Sequence, residues 1–204
     1  MIELTPRDEE VVTFLKKGFI ADTLLLNDLF FHSIKPCNRR LLKLHQHSLV
    51  KRGRKHSQEP FIYYHHRMPE DIQHSLLKSK LFAQFKNSDL TILDYYSKYN
   101  LVCLSIDLLL IVKTQQHTLA VLAFIRTRGS FQSDRIERAY RNSTEARLMG
   151  EKLMQLASFD DLAIVSCSPK DCYTPFDHYH IRPTHLAEDS QRFIQELQQW
   201  KLNR

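Results

Sequence analysis

Eight basic residues and no acidic residue lie between His32 and His56. They are Lys35, Arg39, Arg40, Lys43, Lys51, Arg52, Arg54 and Lys55. A cluster of lysine and arginine without acids attracts phosphate groups, and contacts to the phosphates of a nucleic acid supply most of the affinity of non-specific binding. The alternative is that these charges form only a solvated face.

A nuclease-type magnesium site would need carboxylates on neighbouring strands, because Mg²⁺ prefers hard oxygen ligands. Asp107 supplies one carboxylate, and the adjacent apolar segment 119–128 supplies none. An isolated aspartate at the start of a strand is typical of a structural residue. The sequence therefore predicts no catalytic residues and no enzymatic activity.

Thiols and imidazoles near the carboxyl end are potential zinc ligands. They are Cys167, Cys172, His178 and His180. Their spacing matches no common structural zinc site, and Cys167 ends an apolar segment where buried cysteines are usual. We therefore expect no metal and no cofactor.

The composition is typical of a globular protein and carries a formal net charge of +6 over 204 residues. Four irregularly spaced cysteines favour reduced thiols over a disulfide framework. No apolar run is long enough to cross a bilayer, and the first ten residues are acidic where a secretory signal would be basic and then apolar. These features predict a cytoplasmic protein with an anionic partner.

Helix signals organise the first 66 residues. Thr5 and Pro6 are typical of a helix start, and Gly18 after two lysines is typical of a stop. A second helix is predicted over 21–31, and a third begins after Ser33. On the third helix the spacing of apolar residues places Cys37, Leu41 and Leu44 on one face and basic residues on the other.

Two short strands, 49–54 and 60–64, follow the third helix with a polar turn between them. Three helices and a basic hairpin predict a winged helix-turn-helix, in which the third helix enters the major groove and the hairpin lies along the DNA backbone. The candidate DNA-binding residues are Lys35, Asn38, Arg39, Arg40, Lys43, Gln46, Lys51, Arg52, Arg54 and Lys55. The alternative is a winged helix that binds protein.

The remaining residues alternate between strand and helix patterns, which predicts an α/β domain. The predicted organisation is a winged helix-turn-helix domain over 1–66, a connecting helix over 67–86 and an α/β domain over 87–204. The α/β segments are strands over 90–96, 101–112, 118–126 and 162–167 with a further strand around Ile181, and helices over 131–158 and 187–202. The overall fold class is α+β.

Four short motifs in the first 66 residues resemble the winged-helix half of the replication-relaxation proteins of bacterial plasmids and mobile elements. The motifs are Leu4-Thr5-Pro6-Arg7-Asp8, Leu29-Phe30-Phe31, the segment 39–44 and Phe61-Ile62-Tyr63-Tyr64. In that family a Pro-Asp strand and a strand ending Glu-x-Asp-Arg-Gly-Thr belong to a restriction-endonuclease-like core. Asp107 and the segment 125–130 are at the corresponding positions; Arg128 and Gly129 match the pattern, while its two acids are missing.

The resemblance implies a degenerate, non-catalytic nuclease-like domain behind the winged helix. We expect a sequence-specific double-stranded DNA-binding protein that regulates transcription or replication of a plasmid, phage or mobile element. A homodimer is predicted, with the α/β domain holding two protomers together or binding a partner protein. The alternatives are a metal-dependent nuclease or other nucleic-acid-processing enzyme, and an adaptor whose winged helix binds protein.

Overall fold

A computed structural model describes residues 3–102, 104–128, 138, 142–170 and 178–200. The chain forms two compact units, Met1–Ala83 and Gln84–Arg204. The division falls inside the helix that is predicted from the sequence as a connector. The fold is mixed α+β, as predicted. In the part of the chain that is described, no helix is long and apolar enough to span a membrane.

The first unit begins with helix α1 (Pro6–Lys16), which starts and stops where the sequence predicts. The Thr5 hydroxyl accepts a hydrogen bond from the Asp8 backbone N–H, and the Asp8 carboxylate accepts one from the Thr5 N–H, which forms a capping box. After α1, Gly18 has a φ of 86°, a left-handed conformation that favours glycine.

Helices α2 (Thr23–Leu26) and α3 (Ile34–Gln46) are separated by a π-helical segment, Asn27–Phe31. The prediction that the second helix starts at Ala21 is wrong. Residues Ala21–Asp22 form strand β1, because they pair with a later strand, and the Asp22 carboxylate then caps α2 by accepting from the Leu25 N–H at 2.8 Å.

The hairpin is present as β2 (Lys51–Gly53) and β3 (Ile62–Tyr64). Strand β3 lies between β1 and β2 in a three-stranded antiparallel sheet. Helix α4 (Ile72–Lys86) follows, and its Phe82 ring packs within 5.4 Å of Phe14 and 5.0 Å of Phe19, measured between ring centroids. The part of α4 up to Ala83 therefore belongs to the core of the first unit.

The second unit is built on a five-stranded sheet with the order β10-β9-β8-β7-β4. Its strands are β4 (Thr91–Tyr96), β7 (Leu108–Lys113), β8 (Thr118–Ile125), β9 (Asp161–Cys167) and β10 (Tyr179–Ile181). Strands β4, β7 and β8 are antiparallel, while β9 is parallel to both β8 and β10. Strands β5 (Tyr99–Leu101) and β6 (Leu104–Ile106) form a separate hairpin.

The predicted single strand over 101–112 is wrong, because the backbone turns twice within it. Val102 adopts a left-handed φ of 38° between β5 and β6, and Asp107 separates β6 from β7. The helix predicted over 131–158 is described in part: α5 (Ser143–Met154) starts at Asn142, whose side chain accepts from the N–H groups of Thr144 and Glu145.

Apolar side chains cover both faces of the five-stranded sheet. Leu109, Leu122 and Ile164 lie on the face that packs against α5 and the β5–β6 hairpin. On the opposite face, Tyr179 of β10 stacks on Phe193 of helix α6 (Leu186–Gln198) with ring centroids 4.9 Å apart. The second unit is therefore a layered α/β structure.

Candidate nucleic-acid interface

The outer face of α3 holds five of the ten predicted DNA-binding residues. Cys37, Leu41 and Leu44 are fully buried on the inner face, as the spacing predicts. The exposed side chains of the outer face include Lys35, Asn38, Arg39, Lys43 and Gln46. Each has hydrogen-bond donors, and α3 contains no acidic residue that would compete for its cations.

Leu42 lies at the centre of this outer face and is 38% exposed. At 100° per residue its side chain falls between those of Asn38 and Gln46. An exposed apolar side chain among donors can contact the methyl group of thymine. Leu42 is not among the predicted DNA-binding residues, although the same helical periodicity that places Arg39 and Lys43 outward also places Leu42 there.

Arg40 differs from its neighbours on α3, because its guanidinium forms hydrogen bonds with residues at and before the start of α1. Its Nε donates to Asp8 Oδ1 at 2.7 Å, and its Nη2 donates to Asp8 Oδ2 and to the Glu3 carbonyl. The Asp8 side chain is fully buried, whereas that of Arg40 is 23% exposed. Arg40 therefore joins α3 to the start of α1 and fixes the position of the exposed cations.

The charge state of Asp8 follows from the same contacts. Burial of the Asp8 carboxylate would raise its pKa, but hydrogen bonds from Arg40 and Thr5 outweigh burial and hold the pKa below its usual value. Asp8 is thus ionised at neutral pH and accepts the bidentate bond of Arg40.

A shallow groove of about 270 Å³ lies between α1 and α3. Arg39 and Lys43 line it from α3, and Arg7 lines it from α1, where its guanidinium carbon lies 5.3 Å from the centroid of the Phe31 ring. Arg7 was not among the predicted residues. The available signal was a cation in a first helical turn that otherwise carries acids.

The hairpin holds a second basic cluster. The guanidinium carbons of Arg52 and Arg54 lie 4.4 Å and 4.8 Å from the centroid of the Phe61 ring, on which both side chains stack. Arg54 also donates to the Ser57 carbonyl across the turn, and Lys51 Nζ donates to the His66 carbonyl at 2.8 Å. Lys55 is exposed.

Two of the residues considered for catalysis or metal binding in the second unit, Asp107 and Cys167, lie within its five-stranded sheet or at its edge. Asp107 Oδ2 accepts a hydrogen bond from the Ile125 N–H at 2.8 Å, which joins the start of β7 to the end of β8. Cys167 is buried in β9, and burial raises the pKa of its thiol to about 12. Cys172 lies outside the described residues. Among those described, no group of three or more His, Cys, Asp or Glu side chains could hold a metal ion.

No family model matches the chain, and neither a curated protein nor a solved structure matches it.

Proposed function

We propose that the first unit is a winged helix-turn-helix domain that binds double-stranded DNA, with α3 in the major groove and the β2–β3 hairpin along the backbone. The observation that carries the proposal is the outer face of α3, which presents exposed cations and amides and no acid. Arginine and lysine pair with guanine, and asparagine and glutamine pair with adenine.

The arrangement of the remaining elements supports this assignment. Three helices precede a hairpin whose inner strand pairs with β1, a strand between the first two helices. Arg52 and Arg54 stack on Phe61, which orders two long side chains that would otherwise lose rotamer freedom when they bind phosphate. We assign phosphate contacts to the hairpin and base contacts to α3.

We further propose that the whole chain regulates transcription or replication of a plasmid, phage or mobile element, an assignment that rests on the resemblance to the replication-relaxation proteins. In this proposal the second unit is a non-catalytic, nuclease-like α/β domain that holds two protomers together or binds a partner protein. Asp107 is the acid that the chain retains at the Pro-Asp position of the family pattern. Its hydrogen bond from the Ile125 N–H supports a structural role for this residue.

The test is binding of the full-length protein to random duplex DNA and to fragments from its own genetic neighbourhood, at a series of salt concentrations with magnesium present. We expect binding that weakens steeply with salt, because phosphate contacts release counterions. One neighbourhood fragment should bind more tightly than random DNA and remain intact. Cleavage would instead identify a nuclease, and no binding at low salt would contradict DNA binding and favour the alternative of a winged helix that binds protein.

A pair of double variants assigns the binding to α3. Replacing Arg39 and Lys43 with alanine should weaken binding to the preferred fragment more than to random DNA, if α3 reads bases. The matched control replaces Lys98 and Lys113, two exposed lysines of the second unit, and removes the same formal charge. Equal losses in the two variants would show that only total charge matters.

A further inference from the structure

An apolar cavity of about 170 Å³ lies within the second unit, between the five-stranded sheet and α5. The sheet contributes Leu122, Phe124 and Ile164 as its floor, and each of these side chains is at most 7% exposed. The β5–β6 hairpin closes one side with Leu101 and Leu104. The cavity therefore belongs to the core of the unit and is independent of the basic face of α3.

The other wall is α5, which contributes Met149, Gly150 and Leu153. A Cβ atom added at Gly150 would meet no heavy atom of its surroundings within 4 Å, so the backbone is not crowded there. Glycine inside a helix is about 1 kcal/mol less favourable than alanine. Steric crowding therefore does not explain this glycine, which lines the cavity and has open space beside it.

The chemistry of the walls defines what the cavity can hold. Of the described residues that line it, none has a polar side chain. A water molecule needs two or more polar partners, and apolar cavities of about 150 Å³ stay dry and bind benzene-sized molecules. Leaving such a volume empty costs the apolar side chains that line it dispersion contacts.

We propose that this cavity is a binding site for a small, neutral, apolar molecule, of the size of one aromatic ring up to a bicyclic ring such as indole. Phe124 and Phe159 provide aromatic faces against which a ring can pack edge to face or offset. Occupancy would complete the contacts between α5 and the sheet and so stabilise the second unit. The stability of the second unit would therefore depend on such a molecule, whatever the first unit binds.

The first experiment uses the full-length protein labelled with ¹³C in its methionine methyl groups and titrated with benzene and with indole. The chain has four methionines, of which Met149 lines the cavity, whereas Met154 is 53% exposed on the same helix and Met68 lies in the first unit. We expect a saturable shift of the Met149 methyl resonance and none at Met68 or Met154. No saturable shift of the Met149 resonance up to the solubility of either probe overturns the proposal.

Two substitutions at Gly150 separate filling of the cavity from improved helix propensity. We expect benzene to raise the melting temperature of the parent protein. Gly150→Leu should fill the volume, raise the melting temperature without a probe and abolish this response to benzene. Gly150→Ala should raise the melting temperature through helix propensity and keep the response to benzene. Benzene binding that is unchanged in folded Gly150→Leu places the probe elsewhere and overturns the assignment. The methyl titration decides the matter if that variant does not fold.

Discussion

Helices α3 and α6 are alike in length and amphipathicity and opposite in charge. Each has 13 residues with one buried apolar face. Helix α3 carries four Lys or Arg and no acid, a formal charge of +4, whereas α6 carries three acids and one arginine, a formal charge of −2. Amphipathicity thus explains why both helices pack on a core, whereas their formal charges differ, and this difference is why we propose α3 and not α6 as the surface for DNA.

The two helices also differ in how they hold a buried aspartate. Arg40 of α3 bonds to Asp8, 32 residues earlier, so the pair joins two helices. Arg182 donates through Nε and Nη2 to Asp189 in the first turn of α6, seven residues later, so that pair stabilises one helix start. The first pair orients a candidate binding surface, while the second is local.

The largest effect is expected from reversing the charge of the α3 face. Arg39→Glu with Lys43→Glu brings the formal charge of α3 to zero, and DNA affinity at low salt should fall by about 100-fold or more, at roughly 1–3 kcal/mol for each lost contact. In the control, Glu188 and Glu196 of α6 are replaced by lysine, and this change should not reduce the affinity for DNA. Fluorescence anisotropy of a labelled duplex measures both, and an unaffected α3 variant would remove this helix from the interface.

The next effect concerns the stability of the first unit. Arg40→Ala leaves the fully buried Asp8 carboxylate without its cation and should cost about 3 kcal/mol of unfolding free energy. Hydrogen exchange should rise most in peptides from α1 and α3. Arg182→Ala in the second unit should cost less, because Arg182 is 44% exposed and its contact is local. Equal losses would contradict the distinction between the two pairs.

A smaller effect is expected from the hairpin. Replacing both Arg52 and Arg54 with alanine should weaken binding to all sequences similarly and reduce the slope of log affinity against log salt by about 2. A matched change at Lys98 and Lys113 should leave the slope as it is. An unchanged slope in the hairpin variant would exclude phosphate contacts by these arginines.

The smallest effect is the acid sensitivity of the second unit. The hydrogen bond from Arg182 holds the pKa of Asp189 below its usual value. The stabilisation of the folded state by the Asp189 carboxylate is therefore complete above the unfolded pKa near 4, and it is lost as pH falls through the folded pKa. Asp189→Asn should therefore lose less stability than the parent between neutral pH and about pH 3. Urea unfolding followed by Trp200 fluorescence reports this unit, and parallel pH profiles would contradict the prediction.

The elements that depend on local signals could be predicted from the sequence. Thr5 and Gly18 bound α1 as expected, and the periodicity of Cys37, Leu41 and Leu44 identifies the buried face of α3. These features follow from backbone hydrogen bonding and helical geometry, which act within a few residues.

Features that depend on distant partners could not be predicted in the same way. Strand β1 has two residues and exists because Ala21 pairs with Tyr63. The basic pattern places Arg40 with the other cations, while its contact with Asp8 requires the packing of α1 against α3. The cavity beside Gly150 depends on how α5, the hairpin and the sheet fit together, and no sequence period encodes that volume.

Each unit contains a buried cysteine that can report on its motions. Cys37 lies on the inner face of α3 and Cys167 in β9, and burial raises the pKa of these thiols to about 11 and about 12. A protonated, enclosed thiol reacts with an alkylating reagent only after its surroundings open. The rates at which an alkylating reagent labels the two cysteines, resolved by peptide, therefore measure the opening of each unit separately and need no engineered probe.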